Sequence, residues 1–307
     1  MNPFLGIALK VLSALVFTVM AACVKLLSVR LAVGELVFFR SLFALLPLVA
    51  WLRWCGEWPS ATRTRRLGGH VRRGFVGASA MFLGFGALSL LSLPDATALG
   101  YTAPLITVAL AAFVLGERVR VYRWSAVGVG FLGVLVMLWP QLAEAGGAAG
   151  SRSALGVGLA LLGAVCVALA TVEVRRLTET ETTGAIVFYF SIMASVLGLS
   201  TLVLGWTWPT PFEAAMLVVT GILGGVGQIL LTNSYQYADT SLIAPSDYTT
   251  LIWSLLLGWF VFGELPGSAI LAGGAIVVAS GLFVIWREHK LGLERRRQRE
   301  SAPQRGI

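Results

Sequence analysis

The chain has 307 residues, 57% of them hydrophobic and only 12% charged, with a mean hydropathy of +0.83. A soluble domain carries about 25% charged residues, and half that charge cannot cover a globule of this size, so lipid must cover most of it. The net charge of +8 points to a nucleic-acid partner only if membrane topology does not account for it.

A helix needs about 20 apolar residues to cross the hydrocarbon core, and ten such runs follow one another along the chain. They lie near 4–27, 34–52, 74–91, 96–116, 124–139, 153–174, 184–204, 214–235, 241–262 and 268–286, the fifth being short. The first reads as a retained span. No positive region precedes it, and VMAAC at Val19–Cys23 only loosely resembles a lipoprotein cleavage box. Connections are brief except Arg53–Arg73, Pro140–Arg152 and the tail from Arg287, which leaves no room for a soluble domain.

With the amino terminus inside, the arginines of Arg53–Arg73, then Arg118, Arg120, Arg123, Arg175, Arg176 and the basic tail are all cytoplasmic. Only Arg30 and Arg152 fall outside. The positive-inside rule therefore predicts a multi-pass protein of a bacterial-type inner membrane with both termini cytoplasmic. It also absorbs the net charge, so no nucleic-acid partner is expected. The tail RRRQR reads as a topology anchor, with contact to anionic membrane lipid as its other role.

Within this frame one sentence is written twice. YTAPLITVALAAFVLGE runs from Tyr101 to Glu117, and YTTLIWSLLLGWFVFGE runs without a gap from Tyr248 to Glu264. Trp139 and Trp286 then close the next runs at matching distances. Glu117 ends a span that runs inward and Glu264 one that runs outward, so an odd number of spans per half has turned the second copy over. Two five-helix units of inverted topology are the pattern of secondary transporters. The predicted units are 1–139 and 153–286, with a periplasmic linker at 140–152 and a cytoplasmic tail at 287–307.

At these residues the chain resembles the drug/metabolite transporter superfamily, and within it the EamA-type ten-helix members. The carriers are GER at Gly116–Arg118, GEL at Gly263–Leu265, Tyr101-x-x-Pro104 and FFR at Phe38–Arg40. The resemblance implies an all-α membrane fold of two inverted five-helix repeats. Its central cavity is surrounded by spans one, three, four, six, eight and nine, with five and ten packed outside. It also implies export of amino acids, the amino-acid exporter kind, or movement of other small metabolites such as nucleotide-derived compounds and vitamins. The chain departs from the pattern at Leu251, where the second copy would repeat Pro104. Its break comes earlier, at Pro245.

Chemistry-bearing residues are few. Cys23, Cys55 and Cys166 have no metal spacing, and His70 and His289 lie far apart. No catalytic group, metal site or cofactor is therefore expected, and an enzyme is not. GVGFLG at Gly128–Gly133 imitates a dinucleotide fingerprint but lacks the strand and βαβ unit. Ala126, Gly130 and Gly133 read instead as a close-packing face, as do Gly221, Gly224 and Gly225.

Span eight turns polar at Gln228, Thr232, Asn233 and Tyr235, either to bond a neighbouring helix or to wall a cavity. Asp247 reads first as an interfacial carboxylate capping a late-starting helix, and otherwise as the one acid placed to couple protons. Arg40 and Lys25 read as snorkelling toward the periplasmic headgroups, and Glu173 as interfacial. Glu117 and Glu264 read as structural acids that oppose the helix dipole and so need partners. Symmetry sets Tyr101 and Tyr248 in one crevice between the repeats. The expected substrate site is thus Ser79, Tyr101, Gln228, Asn233, Ser246 and Tyr248, neutral and weakly selective. Its expected partner is a small molecule, an amino acid or similar metabolite.

Overall fold

A computed structural model describes residues 3–114, 121–143, 148–178, 180–237 and 244–300, and within them it is all-helical. The helices are α1 (Pro3–Leu27), α2 (Val33–Trp54), α3 (Leu67–Leu88), α4 (Leu93–Gly100), α5 (Thr102–Val114) and α6 (Val121–Ala143). Then come α7 (Ala148–Thr178), α8 (Thr183–Ser200), α9 (Pro211–Tyr237), α10 (Thr249–Phe262) and α11 (Ser268–Glu300). A 3₁₀ turn, Ala244–Tyr248, directly precedes α10.

These make ten transmembrane crossings in two inverted halves, α1 to α6 and α7 to α11. Six helices, α1, α2, α7, α8, α9 and α11, are each long and apolar enough to cross alone. The remaining crossings are α3, whose first turns are the polar LGGHVRR, the short apolar α6, and two spans that are broken. Span four breaks between α4 and α5, and span nine between the 3₁₀ turn and α10.

The breaks have a chemical cause. Pro104 has no N–H, so the carbonyl of Gly100 four residues back loses its helical donor, and α4 stops at Gly100. Pro245 stands at the start of the 3₁₀ turn in the second copy. The residues at the two junctions share one backbone conformation: Tyr101 has φ −68° and ψ −4°, Tyr248 φ −69° and ψ −13°.

The Gly-Glu signature is equally physical. Gly263 ends α10 at φ +65°, a left-handed conformation that favours glycine. The N–H of Gly263 then bonds Trp259 O and that of Glu264 bonds Gly258 O, a Schellman-type ending. Other helix starts use side-chain caps. Ser92 Oγ accepts from Asp95 N at 3.1 Å, and Thr210 and Glu213 form a reciprocal box before α9.

Packing repeats the two-fold relation. α1 lies along α9 and its counterpart α7 along α3, while α6 pairs with α11, α2 with α8, and the two broken spans with each other. Small residues set the closest approaches: a Cβ on Gly273 would stand 2.3 Å from the carbonyl oxygen of Gly133 across the α6–α11 seam. The segment expected as a linker is partly helical, since α6 runs to Ala143 and α7 begins at Ala148. The tail is likewise helical as far as Glu300.

Candidate functional site

The two junctions meet. The rings of Tyr101 and Tyr248 lie 5.3 Å apart, edge to face. The Tyr101 hydroxyl sits 2.7 Å from Thr250 Oγ1 and donates toward the carbonyls of Asp247 and Tyr248 at 3.3 and 3.4 Å. Thr250 Oγ1 donates to the same Asp247 carbonyl. Thus a side chain of one repeat bonds backbone oxygens at the helix break of the other. Each such bond is worth about 1 kcal/mol, little enough to make and unmake during a conformational cycle.

A cavity of about 200 Å³ adjoins this junction, lined by Tyr101, Pro104, Asp247, Tyr248, Ala126 of α6 and Ser280 of α11, among others. Gly281 makes room for the Tyr248 hydroxyl, which would stand 1.6 Å from a Cβ there. This cavity is walled by α6 and α11 together with the two broken spans, so it is distinct from the central cavity that the family resemblance implies.

Asp247 projects from the 3₁₀ turn toward α1, where Lys10 Nζ lies 2.8 Å from Oδ1. The lysine side chain is 4% exposed and the carboxylate 57%. The carboxylate is thus largely exposed, and is held to the bundle by an ion pair with a buried lysine. Ser246 is buried beside it, and its carbonyl accepts from Thr249 Oγ1 at 2.7 Å.

Ser79 lies elsewhere. Its hydroxyl bonds back to Phe75 O at 3.0 Å, and it lines a separate cavity of about 400 Å³ with Phe75, Phe82, Leu83 and Leu197 on the α3–α8 seam. Gln228 and Asn233 are half-buried on α9 and line neither cavity. So Tyr101, Ser246 and Tyr248 come together, while Ser79, Gln228 and Asn233 stand apart from them. The side chains of Thr232 and Tyr235, and all of Glu117, lie outside the described residues.

Neither in-span cation snorkels. Lys25 Nζ pairs with Glu264 Oε1 at 2.9 Å, donates to Leu91 O and lies 5.5 Å from the centre of the Phe262 ring. Glu264 Oε2 accepts from Leu93 N at 3.0 Å, at the start of α4. The acid that opposes the dipole of its own helix is thereby placed at the favourable end of another. Arg40 is 4% exposed and faces the bundle, its Nη1 3.7 Å from Met81 Sδ. Glu173 is buried, paired with Arg72 at 2.6 Å and Arg176 at 3.3 Å.

At the opposite face from Glu264, His70 Nε2 lies 3.4 Å from Glu181 Oε2, both side chains almost wholly covered. The backbone N–H of Arg65 donates to Glu181 Oε1 at 3.0 Å. Burial pushes the Glu181 carboxyl up, but hydrogen bonds from Arg65 N, His70 and Thr64 outweigh it and hold it below the ordinary carboxylate range.

Two inverted five-helix units whose broken spans meet across the interface define a membrane transporter of the inverted-repeat class. The chain belongs to the EamA-like transporter family, whose model matches residues 4–139 and 154–286. It is 28% identical over 288 residues to the S-adenosylmethionine uptake transporter of Rickettsia prowazekii, covering 93% of this chain and 94% of that one. It is also 30% identical over 277 residues to the pseudopaline exporter CntI of Pseudomonas aeruginosa, covering 90% and 94%. A protein of solved crystal structure shares the fold with a TM-score of 0.63 at 20% identity, over 92% of this chain and 98% of that chain.

Lys10 and Arg73 are the functional candidates that sequence reasoning passed over. Lys10 carried a signal, an ionisable residue within an apolar run. Arg73 carried none, because it stands at the end of a basic loop.

Proposed function

We propose that the protein is a secondary transporter that exports amino acids or related small metabolites across the bacterial inner membrane by alternating access, with both termini cytoplasmic. The observation that carries this reading is the bonded meeting of the two helix breaks at Tyr101 and Tyr248. A crevice that opens on either side must pass through those contacts. Tyr101, Ser246 and Tyr248 would form its closing surface, Ser79, Gln228 and Asn233 would wall the path, and Asp247, paired with Lys10, would be the proton-coupling site.

A second reading, uptake of a nucleotide-derived solute, is favoured by the likeness to S-adenosylmethionine uptake transporters. S-adenosylmethionine itself ends in an amino-acid group, so the two readings ask for similar recognition chemistry. Purified protein in liposomes, of orientation fixed by proteolysis of the tail, would be tested for flux in each direction with labelled amino acids, S-adenosylmethionine, nucleosides and vitamins. Outward flux of an amino acid is the expected result. Flux of S-adenosylmethionine alone, inward, would install the second reading, and no flux of any of them would reject both.

A further inference from the structure

Away from the tyrosine junction, a pair of arginines stands inside the bundle with no counter-charge among the described residues. Arg40 on α2 is 4% exposed, and its Nε is covered without an acceptor. Its Nη1 reaches Met81 Sδ at 3.7 Å, a weak acceptor. Arg73 on α3 lies 4.4 Å over the Phe190 ring of α8, and its Nε and Nη1 are also covered without acceptors. The two groups meet neighbouring turns of α3, Arg73 at Gly77 and Arg40 at Met81. Among the described residues no carboxylate is paired with either.

The backbone is shaped around both groups. A Cβ on Gly224 of α9 would stand 2.8 Å from Arg40 Nε, and one on Gly77 of α3 would stand 1.9 Å from Arg73 Nη1. Arg73, Gly77 and Met81 follow one another at steps of four on a single face of α3. Gln228 lies one turn beyond Gly224 on the same face of α9. Four helices, α2, α3, α8 and α9, thus converge on two guanidinium groups with donors to spare.

An uncompensated charge in the interior is costly, and two of one sign more so. Ionisable groups kept at such a cost inside a membrane bundle mark the path of something that satisfies them. The planar fork of a guanidinium matches a carboxylate bidentately. We propose that Arg40 and Arg73 form an anion subsite on the transport path that takes the carboxylate of the solute, with Gln228 as its neutral donor. The role as a subsite rests on the transport reading; the affinity for anions does not. A lipid phosphate offers similar chemistry, and the test separates it.

Thermal unfolding of the detergent-solubilised full chain would be followed with N-acetyl-L-leucinate and with its uncharged amide, at matched ionic strength. The acid should raise the melting temperature and the amide should not. Arg40→Gln and Arg73→Gln should weaken the response to the acid about tenfold to a hundredfold, as expected for loss of charge-assisted bonds. A merely structural arginine would be missed by the fold. These two variants should instead melt at or above the wild-type temperature when no anion is added. Gly224→Ala, which keeps every charge but crowds Arg40, should also weaken the response.

Equal responses to acid and amide, or variants that respond as the wild type does, would overturn the proposal. In nanodiscs, a response abolished by phosphatidylglycerol but not by phosphatidylcholine would assign the pair to lipid and overturn the subsite. Anion binding without flux of any solute in liposomes would reject transport while leaving the site. Normal flux in both arginine variants would do the reverse.

Discussion

Helix α1 carries two lysines, and each pairs with an acid at one end of span nine. The two pairs are built differently. At one end Lys25 and Glu264 are saturated: the lysine also bonds Leu91 O and the carboxylate also accepts from Leu93 N, so three chain segments are tied together. At the other end Lys10 is buried, but Asp247 keeps more than half its side chain exposed and stands on a 3₁₀ turn instead of a full helix. One end of the span is riveted. The other is held by a contact that solvent, proton or solute can reach, as the proposed alternating access would require.

The largest effect should come from the riveted end. Glu264→Gln leaves Lys25 without its counter-charge and the start of α4 without its anionic acceptor. Breaking a buried pair this way costs about 3–5 kcal/mol. The carboxylate is 27% exposed, so a loss of about 2–3 kcal/mol is expected. It would be read as a fall in melting temperature of the solubilised protein. An unchanged melting temperature would show that the two ends do not differ in the way described.

Next is the turn that aims this acid. Gly263 sits at φ +65°, where a side chain costs about 1 kcal/mol. Gly263→Ala should lower stability by that amount, and Glu264→Gln added to it should cost less than it does alone, because the acid is already misplaced. Strict additivity in that double-mutant cycle would separate the turn from the ion pair.

How far the two ends could be told apart from sequence alone is instructive. The ten spans and the inverted repeat are one-dimensional signals, run length and an ungapped match, and they were legible. So was the meeting of Tyr101 and Tyr248, because symmetry fixes where repeat-related residues go. The partners were not. Lys10 meets Asp247, and Lys25 meets Glu264, from opposite ends of the chain, and nothing local to α1 names them. Arg40 looked like a snorkelling residue because α2 is apolar nearly all round, so the sequence marks no inner face for it. Arg73 was counted as a topology charge for standing beside Arg72, although one of the pair faces Glu173 and the other the bundle. The cavity walls contributed by α6 and α11 were not legible either, because no apolar pattern encodes which residues meet across helices.

At the open end, Asp247→Asn should cost about 1 kcal/mol: the exposed carboxylate contributes little in itself, but its loss leaves the buried Lys10 without this counter-charge. Its consequence should be functional. In liposomes the wild-type flux should respond to an imposed pH gradient and the variant should not. An identical response would remove Asp247 as the proton site and leave the pair as a passive contact. A fall in melting temperature as large as that of Glu264→Gln would erase the contrast between the two ends altogether.

The smallest effect lies at the face opposite Glu264, where Glu181 ties the start of α3 to the α7–α8 turn through Arg65 N and His70. Its carboxyl is held below its ordinary value of 4.5 in the folded protein, because the bonds it accepts favour the charged form more than burial disfavours it. The unfolded chain therefore binds this proton more readily than the folded one. The contribution to stability is present above about pH 4.5 and is lost as pH falls through the lowered folded value. Melting temperature should accordingly decline below that pH, and Glu181→Gln, which cannot titrate, should melt lower at neutral pH and decline less on acidification. Parallel acid profiles for the two proteins would show that the carboxylate does not hold this end of the bundle, and that its bonds to Arg65 and His70 contribute nothing measurable.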